Sequence, residues 1–397
     1  MEPALRKAFN EAFRTATFQA FLKDLDSAHP ASIPFRLAET PVFVPKSFGA
    51  KMIEVCEYII DLIADPNFKS LTEKSIPAAE KVPGENDHPH MMVFDFAVCL
   101  DSNRDLEPRL IELQGFPSLY AFQVFYPDLI PKYFPVPENH SQYLGAFDRD
   151  SYIKELRSVI LGTFPPEHVI LLEIKPLEQK TAIDFYFTRD LIGIEPVCIT
   201  ELIREGRSLF YMRKGIKTPV KRIYNRVIFD ELNARKKELG DFVDITQDLD
   251  VEWAPHPSWF YRISKFTLPL IRHPYAPESF FLDEVTQLPE DLHNYVLKPL
   301  FSFGGQGVII DIKKEDILRI QDPAHWILQK KVHYADIIKT PDRPAKVEIR
   351  IMYLWKDGDA RPKPAINLAR LSKGKMIGVS YNADKEWVGG SVAFFEK

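Results

Sequence analysis

Residues 296–312, VLKPLFSFGGQGVIIDI, set a glycine cluster between two strand-like runs, and this narrows the possible folds more than any other feature. The flanks are apolar around Lys298 on one side and β-branched on the other, and both are strand material. A Walker loop needs Gly-Lys-Ser/Thr opening a helix; neither that pair nor a helical pattern follows. A dinucleotide-binding fingerprint fails too, because its glycines also open a helix. What remains is a glycine-tipped β-hairpin, with Ser302, Gly304, Gly305 and Gly307 in the tip and Lys298 on the strand leading in. Glycine lets backbone N–H groups approach phosphate oxygens, and the lysine supplies charge at the same place. The competing reading is a plain turn beside a surface lysine. Further on, WILQKKV is a short apolar strand enclosing Gln329. That residue suits the edge of an adenine; the alternative is an edge-strand glutamine facing water.

The segment MMVFDFAVCLDSNRDLEPRLIELQ supplies the carboxylates. It reads as two strands joined by a polar turn. Alternation puts Asp95, Ala97 and Cys99 on one face, and Leu110, Glu112 and Gln114 on one face of the returning strand. A turn centred between Arg104 and Asp105 sets Asp95 opposite Gln114 and Ala97 opposite Glu112. Two carboxylates and an amide oxygen then gather together, hard ligands of the kind Mg²⁺ takes alongside substrate phosphates. Acids within an apolar hairpin are costly to bury without a cation or donors. A sheet face open to solvent would carry them at no cost. Asp101 reads as a turn former.

At 397 residues the chain has room for two or three lobes. A helical pattern runs from Pro3 to Leu25, and a second fits KMIEVCEYIIDLIAD, with Ile53, Cys56, Ile60 and Ile63 on one face. KVPGENDHPH is a loop by composition, and its His88 and His90 lack a third metal ligand nearby. From Asp150 onwards HVILLEI, QKTAIDFYFTRDLIG and EPVCIT read as strand, helix and strand, a parallel βαβ unit. A net charge of −5 gives no electrostatic reason to expect nucleic acid as a partner. No apolar run reaches the ~20 residues that span a bilayer. The amphipathic N-terminus lacks the apolar core of a secretory signal. Cys56, Cys99 and Cys198 are few and far apart, which suits buried thiols and a cytoplasmic protein.

FDFAVCLDSNRDLEPRLIELQGFPSL resembles the metal-binding hairpin of the glutathionylspermidine synthetase-like, circularly permuted ATP-grasp ligases. That family carries an Asp on the first strand, Glu-x-Asn on the second and a Thr/Pro/Ser-containing turn. The resemblance maps these onto Asp95, Glu112, Gln114 (where Asn is usual), Pro117 and Ser118. WFYRISKFTLPLIRHPYAP is similar to the family's lysine segment and gives Lys265 a nucleotide contact. YVLKPLFSFGGQGV is similar to its Lys-Pro strand and glycine flap, WILQKKV falls where the adenine strand is expected, and INLARLSKG points to Arg370 at the phosphates or acyl phosphate. The resemblance implies an α/β chain, more closely an α+β ATP-grasp fold, circularly permuted, with a Rossmann-like central domain. Its divisions would be 1–149 for the helices and metal hairpin, 150–254 for the substrate domain and 255–397 for the lid and nucleotide strands. In the middle part, Arg222, Asn225 and Arg226 of KRIYNRVIFDEL either clasp a substrate carboxylate or form an ordinary basic surface. The implied activity is Mg²⁺-dependent and uses ATP to join a carboxylate to an amine. A nucleotide-binding protein that no longer ligates, or a phosphotransferase, is the alternative.

Overall fold

The computed structural model describes residues 1–301, 306–374, 377, 382 and 384–397. Ser302, Gly304 and Gly305 lie outside the described residues. The two ends of the chain meet in one five-stranded antiparallel sheet. Its order is Gly389–Ser391, Lys363–Ser372, Lys346–Leu354, Met91–Leu100 and Leu106–Gln114. Period-2 alternation gives the central strands two different faces. Met92, Phe94, Phe96 and Val98 join Val347, Ile349 and Ile351 in a core beneath the helix Lys46–Ala64, which contributes Met52, Cys56, Ile59 and Ile63. On the other face Met91, Val93, Met352, Leu354 and Leu368 enter a second core. Further along that same face the residues become charged: Asp95 stands opposite Arg350, and Glu348 opposite Arg370.

The middle of the chain forms a four-stranded parallel sheet, ordered Glu252–Ala254, Arg222–Asn225, Val169–Glu173 and Glu195–Cys198. The helix Ala182–Ile192 links the last two strands, so the βαβ reading holds. Buried on both faces, Val169–Leu172 is a continuous apolar run, as expected of a covered parallel strand, and the strand ends in the buried Glu173.

Two sequence expectations need correction. The first helical pattern is two helices, Pro3–Ala12 and Thr15–Ala28, broken at Phe13 and Arg14, whose backbones are extended. The run after the glycines is not a full strand. Tyr295–Pro299 pairs with Trp326–Lys330, and Ile309 reaches its other edge through one antiparallel bridge to Leu297. Trp326–Lys330 already satisfies one edge of that strand, and among the described residues only this bridge uses the other. No helix among the described residues is long and apolar enough to cross a membrane. All three cysteines are buried free thiols.

Candidate functional site

The hairpin Met91–Leu100 and Leu106–Gln114 departs from the expected register. Its turn centres nearer Asn103, with Leu100 facing Leu106, and Asp101 Oδ1 accepts the N–H groups of Asn103 and Asp105 at 2.8 Å each. A bulge beside Asp95 then skips Ile111, so Asp95 lies opposite Glu112 and Val93 opposite Gln114. Alternation alone could not reveal an inserted residue. The bulge takes the Ile111 carbonyl out of the ladder. Lys298 Nζ donates to that carbonyl at 3.2 Å.

A cavity of about 420 Å³ gathers residues from four distant segments. Asp95, Glu112, Gln114, Lys265, Lys298, Gln329 and Arg370 all line it. Lys265 opens the short 3₁₀ helix Lys265–Leu270 and lies 3.2 Å from Glu112 Oε1. Gln114 donates to the same oxygen at 3.3 Å. Gln329 sits in the central strand of its sheet, not at an edge; it is buried and donates to Ser279 Oγ at 3.0 Å. Gly307 has φ of +74°, a conformation that favours glycine, and a Cβ there would stand 3.1 Å from the Pro299 ring.

Arg350, Glu348, Tyr334 and Lys346, not expected from the sequence, line the same cavity. A signal was present: in KVEIRIMYL, Lys346, Glu348 and Arg350 are three charges at alternate positions, on one face of an otherwise apolar strand. Arg350 donates to both oxygens of Asp95 at 2.6 Å, a bidentate pair. Arg370 adds a third contact to Asp95 at 3.1 Å and also binds Glu348. Burial alone would raise the Asp95 carboxyl, but Arg350 and Arg370 hold it below its usual range. Burial pushes Glu348 up despite Arg370, and Tyr334 donates to it at 2.7 Å. Burial pushes the Lys298 ammonium down to about 8, with Lys265 adding repulsion and Glu112 opposing both. Among the described lining residues, six Lys or Arg face four Asp or Glu, a basic balance in a chain whose net charge is −5. The cavity is therefore suited to an anion.

The remaining candidates lie elsewhere. Ser118 lines a neighbouring cavity. Arg222 is buried in its own network, donating to Glu252 at 2.6 Å, Asp357 at 2.7 Å and the carbonyls of Val159 and Ile160. That network also holds His90 of the loop. Asn225 bonds the backbone of Val227. Arg226 is buried with its guanidinium 4.6 Å from the Phe116 ring and 5.5 Å from Phe185, and its Nε and Nη1 have no hydrogen-bond partner. Of these three, Arg226 is the one with donors to offer an anion.

A glutathione synthetase-like effector from Globodera pallida, in its apo form, superposes over 96% of this chain and 97% of its own, with a TM-score of 0.59 and 13% identity. The chain has a glutathione synthetase-like fold. No protein-family model matches it, and none of the curated proteins matches it in sequence. Similarity at this level concerns the arrangement of the chain, and the chemistry rests on the residues in the cavity.

Proposed function

We propose that the protein is an ATP-dependent ligase of the circularly permuted ATP-grasp type, which activates a carboxylate as its acyl phosphate for attack by an amine. The observation that carries this reading is the convergence of Lys265, Lys298, Glu112, Gln114, Gln329 and Arg370 in one basic cavity, although Glu112 and Lys298 are 186 positions apart. Lys265 and Lys298 are the charges for the triphosphate, and Gln329 is the side chain for the base. Arg370 faces the phosphoryl group in transfer and offsets the negative charge of the acyl phosphate. The amine then forms a bond to the acyl carbon and loses a proton as the carbon–oxygen bond to phosphate breaks. Residues 1–149 and 255–397 would build the nucleotide cleft, with 150–254 as the substrate domain.

Mg²⁺ would be held by Glu112 and Gln114, where it would neutralise phosphate charge. Two protein oxygens suffice for Mg²⁺ when phosphates complete its shell. Asp95, expected as a ligand, has both oxygens engaged by Arg350, so its part is to hold the arginines.

One observation favours a second reading, a nucleotide-binding protein that does not ligate. Gln114 stands where the resembled ligases carry Asn, and Asp95 is held by Arg350, so Glu112 is the one carboxylate of the expected three ligands left for a metal. ADP and phosphate release against a panel of carboxylates and amines separates the two. Nucleotide-dependent release requiring both substrates supports the ligase; nucleotide binding without release supports the second reading. No nucleotide binding rejects both.

A further inference from the structure

Beside the basic cavity lies a second of about 350 Å³, and Arg350 and Arg370 line both. A space of that size equals the liquid share of roughly a dozen waters and falls in the range of small-molecule sites. Its walls have a different chemistry. Phe35, Leu37, Leu119, Phe122, Leu368 and Val388 give it apolar sides. Phe122 is edge-on to Phe35, with ring centroids 5.9 Å apart, and its backbone N–H is fixed by Asp184 at 2.9 Å. Within this enclosure two polar atoms want partners. Gln123, only 3% exposed, has its Oε1 buried and unbonded, and Arg370 Nε is likewise buried and unbonded. Buried polar groups are normally satisfied, so each asks for a ligand atom.

We infer that this cavity takes a small carboxylic acid with an apolar body and an N–H or O–H donor, of which an apolar α-amino acid is the simplest member. The inference rests on the ligase reading, because the carboxylate at Arg350 and Arg370 would be the group that is activated. The carboxylate meets the guanidiniums, the donor meets Gln123 Oε1, and the apolar body fills the space between aromatic and aliphatic walls. Against these apolar walls a polar or acidic side chain would lose its water; of the other two cations in the lining, Arg36 is already held by Glu39 and the Val388 carbonyl, which leaves Lys180 to receive an acid. Burying one large apolar side chain is worth roughly ten- to a hundredfold in affinity.

Gly390 provides a specific test. It lines the cavity and pairs with Arg370 in the sheet. A Cβ on Gly390 would stand 3.5 Å from Leu37 and 3.8 Å from Phe35, ordinary contacts, so Gly390→Leu projects into the cavity without a backbone penalty. Calorimetry on the full chain would first titrate a non-hydrolysable ATP analogue with Mg²⁺, then phenylalanine, 3-phenylpropionate and glutamate into the nucleotide-bound protein. Phenylalanine should bind at least tenfold more tightly than glutamate, and 3-phenylpropionate, which lacks the donor, between them. Gly390→Leu should weaken phenylalanine at least tenfold with the nucleotide Kd unchanged. Should that variant not fold, Phe35→Ala, which opens the wall, should weaken phenylalanine several-fold. Nucleotide binding with glutamate equal to or tighter than phenylalanine overturns the inference and leaves the ligase reading standing. Phenylalanine binding without nucleotide binding does the reverse. Binding of neither overturns both.

Discussion

Replacing Lys298 by methionine separates its role toward phosphate from its role in the fold. The ammonium is buried, donates to the Ile111 carbonyl at 3.2 Å, and is pushed down from 10.5 to about 8. A charge-assisted contact to a phosphate oxygen is worth ~1.5–3 kcal/mol. Lys298→Met should therefore raise the Kd for an ATP analogue roughly ten- to a hundredfold. The fold should respond differently. A folded pKa near 8 means that the buried charge costs on the order of 3 kcal/mol at neutral pH. Methionine removes that cost and keeps most of the volume, while the Ile111 carbonyl loses a donor worth about 1 kcal/mol. Stability at pH 7 should thus be unchanged or higher. The sign with pH follows from proton counting. Between about 8 and 10.5 the unfolded chain holds a proton that the folded chain has lost, so wild-type stability rises with pH across that window. The variant should lack this rise. Calorimetry at pH 7 and pH 9 and urea unfolding across the window read both effects, with wild-type affinity weakening as pH passes 8 and the variant's remaining flat. A folded variant that binds within twofold of wild type would refute the assignment of Lys298 to phosphate.

Glu112→Ala should abolish turnover and, by taking a counter-charge from the buried Lys265 and Lys298, should also lower thermal stability; full Mg²⁺-dependent ATPase or ligase activity would reject its role. Arg350→Met leaves Asp95 without its bidentate partner and should cost about 3–5 kcal/mol in urea unfolding. Adding Asp95→Asn should recover part of that cost, and no recovery would show that the pair is not the cause. Burial pushes His256 down to about 4, and its Nδ1 accepts from the Ser258 N–H. The unfolded chain therefore takes up a proton first as pH falls, and roughly 3 kcal/mol of stability should disappear between pH 6.5 and 4. His256→Asn should flatten that slope, and an unchanged slope would place the effect elsewhere.

The parts of the site that could be read from the sequence were those written as exceptions to a local pattern. Asp95 and Glu112 are acids in apolar strands, Lys298 precedes a glycine cluster, and all three line one cavity. The βαβ unit was legible because its first strand opens on the apolar run Val169–Leu172 and is followed by a helical period. The hairpin register was not, since a bulge is one inserted residue and alternation fits either side of it. Nor was the fate of Asp95. Its partner Arg350 is 255 positions away, and the pairing depends on Met91–Leu100 lying beside Lys346–Leu354. The basic character assigned to Arg222 was legible but its direction was not: its strand is interior, so its charge is spent on Glu252 and Asp357.

A structure of the chain with a non-hydrolysable ATP analogue and Mg²⁺ bears most directly on the central claim. The triphosphate should lie in the cavity between the two halves of the sequence, with Lys265 and Lys298 Nζ on phosphate oxygens, the metal on Glu112 and the base beside Gln329. Nucleotide bound at any other place, or a cavity that stays empty at saturating nucleotide, would contradict it.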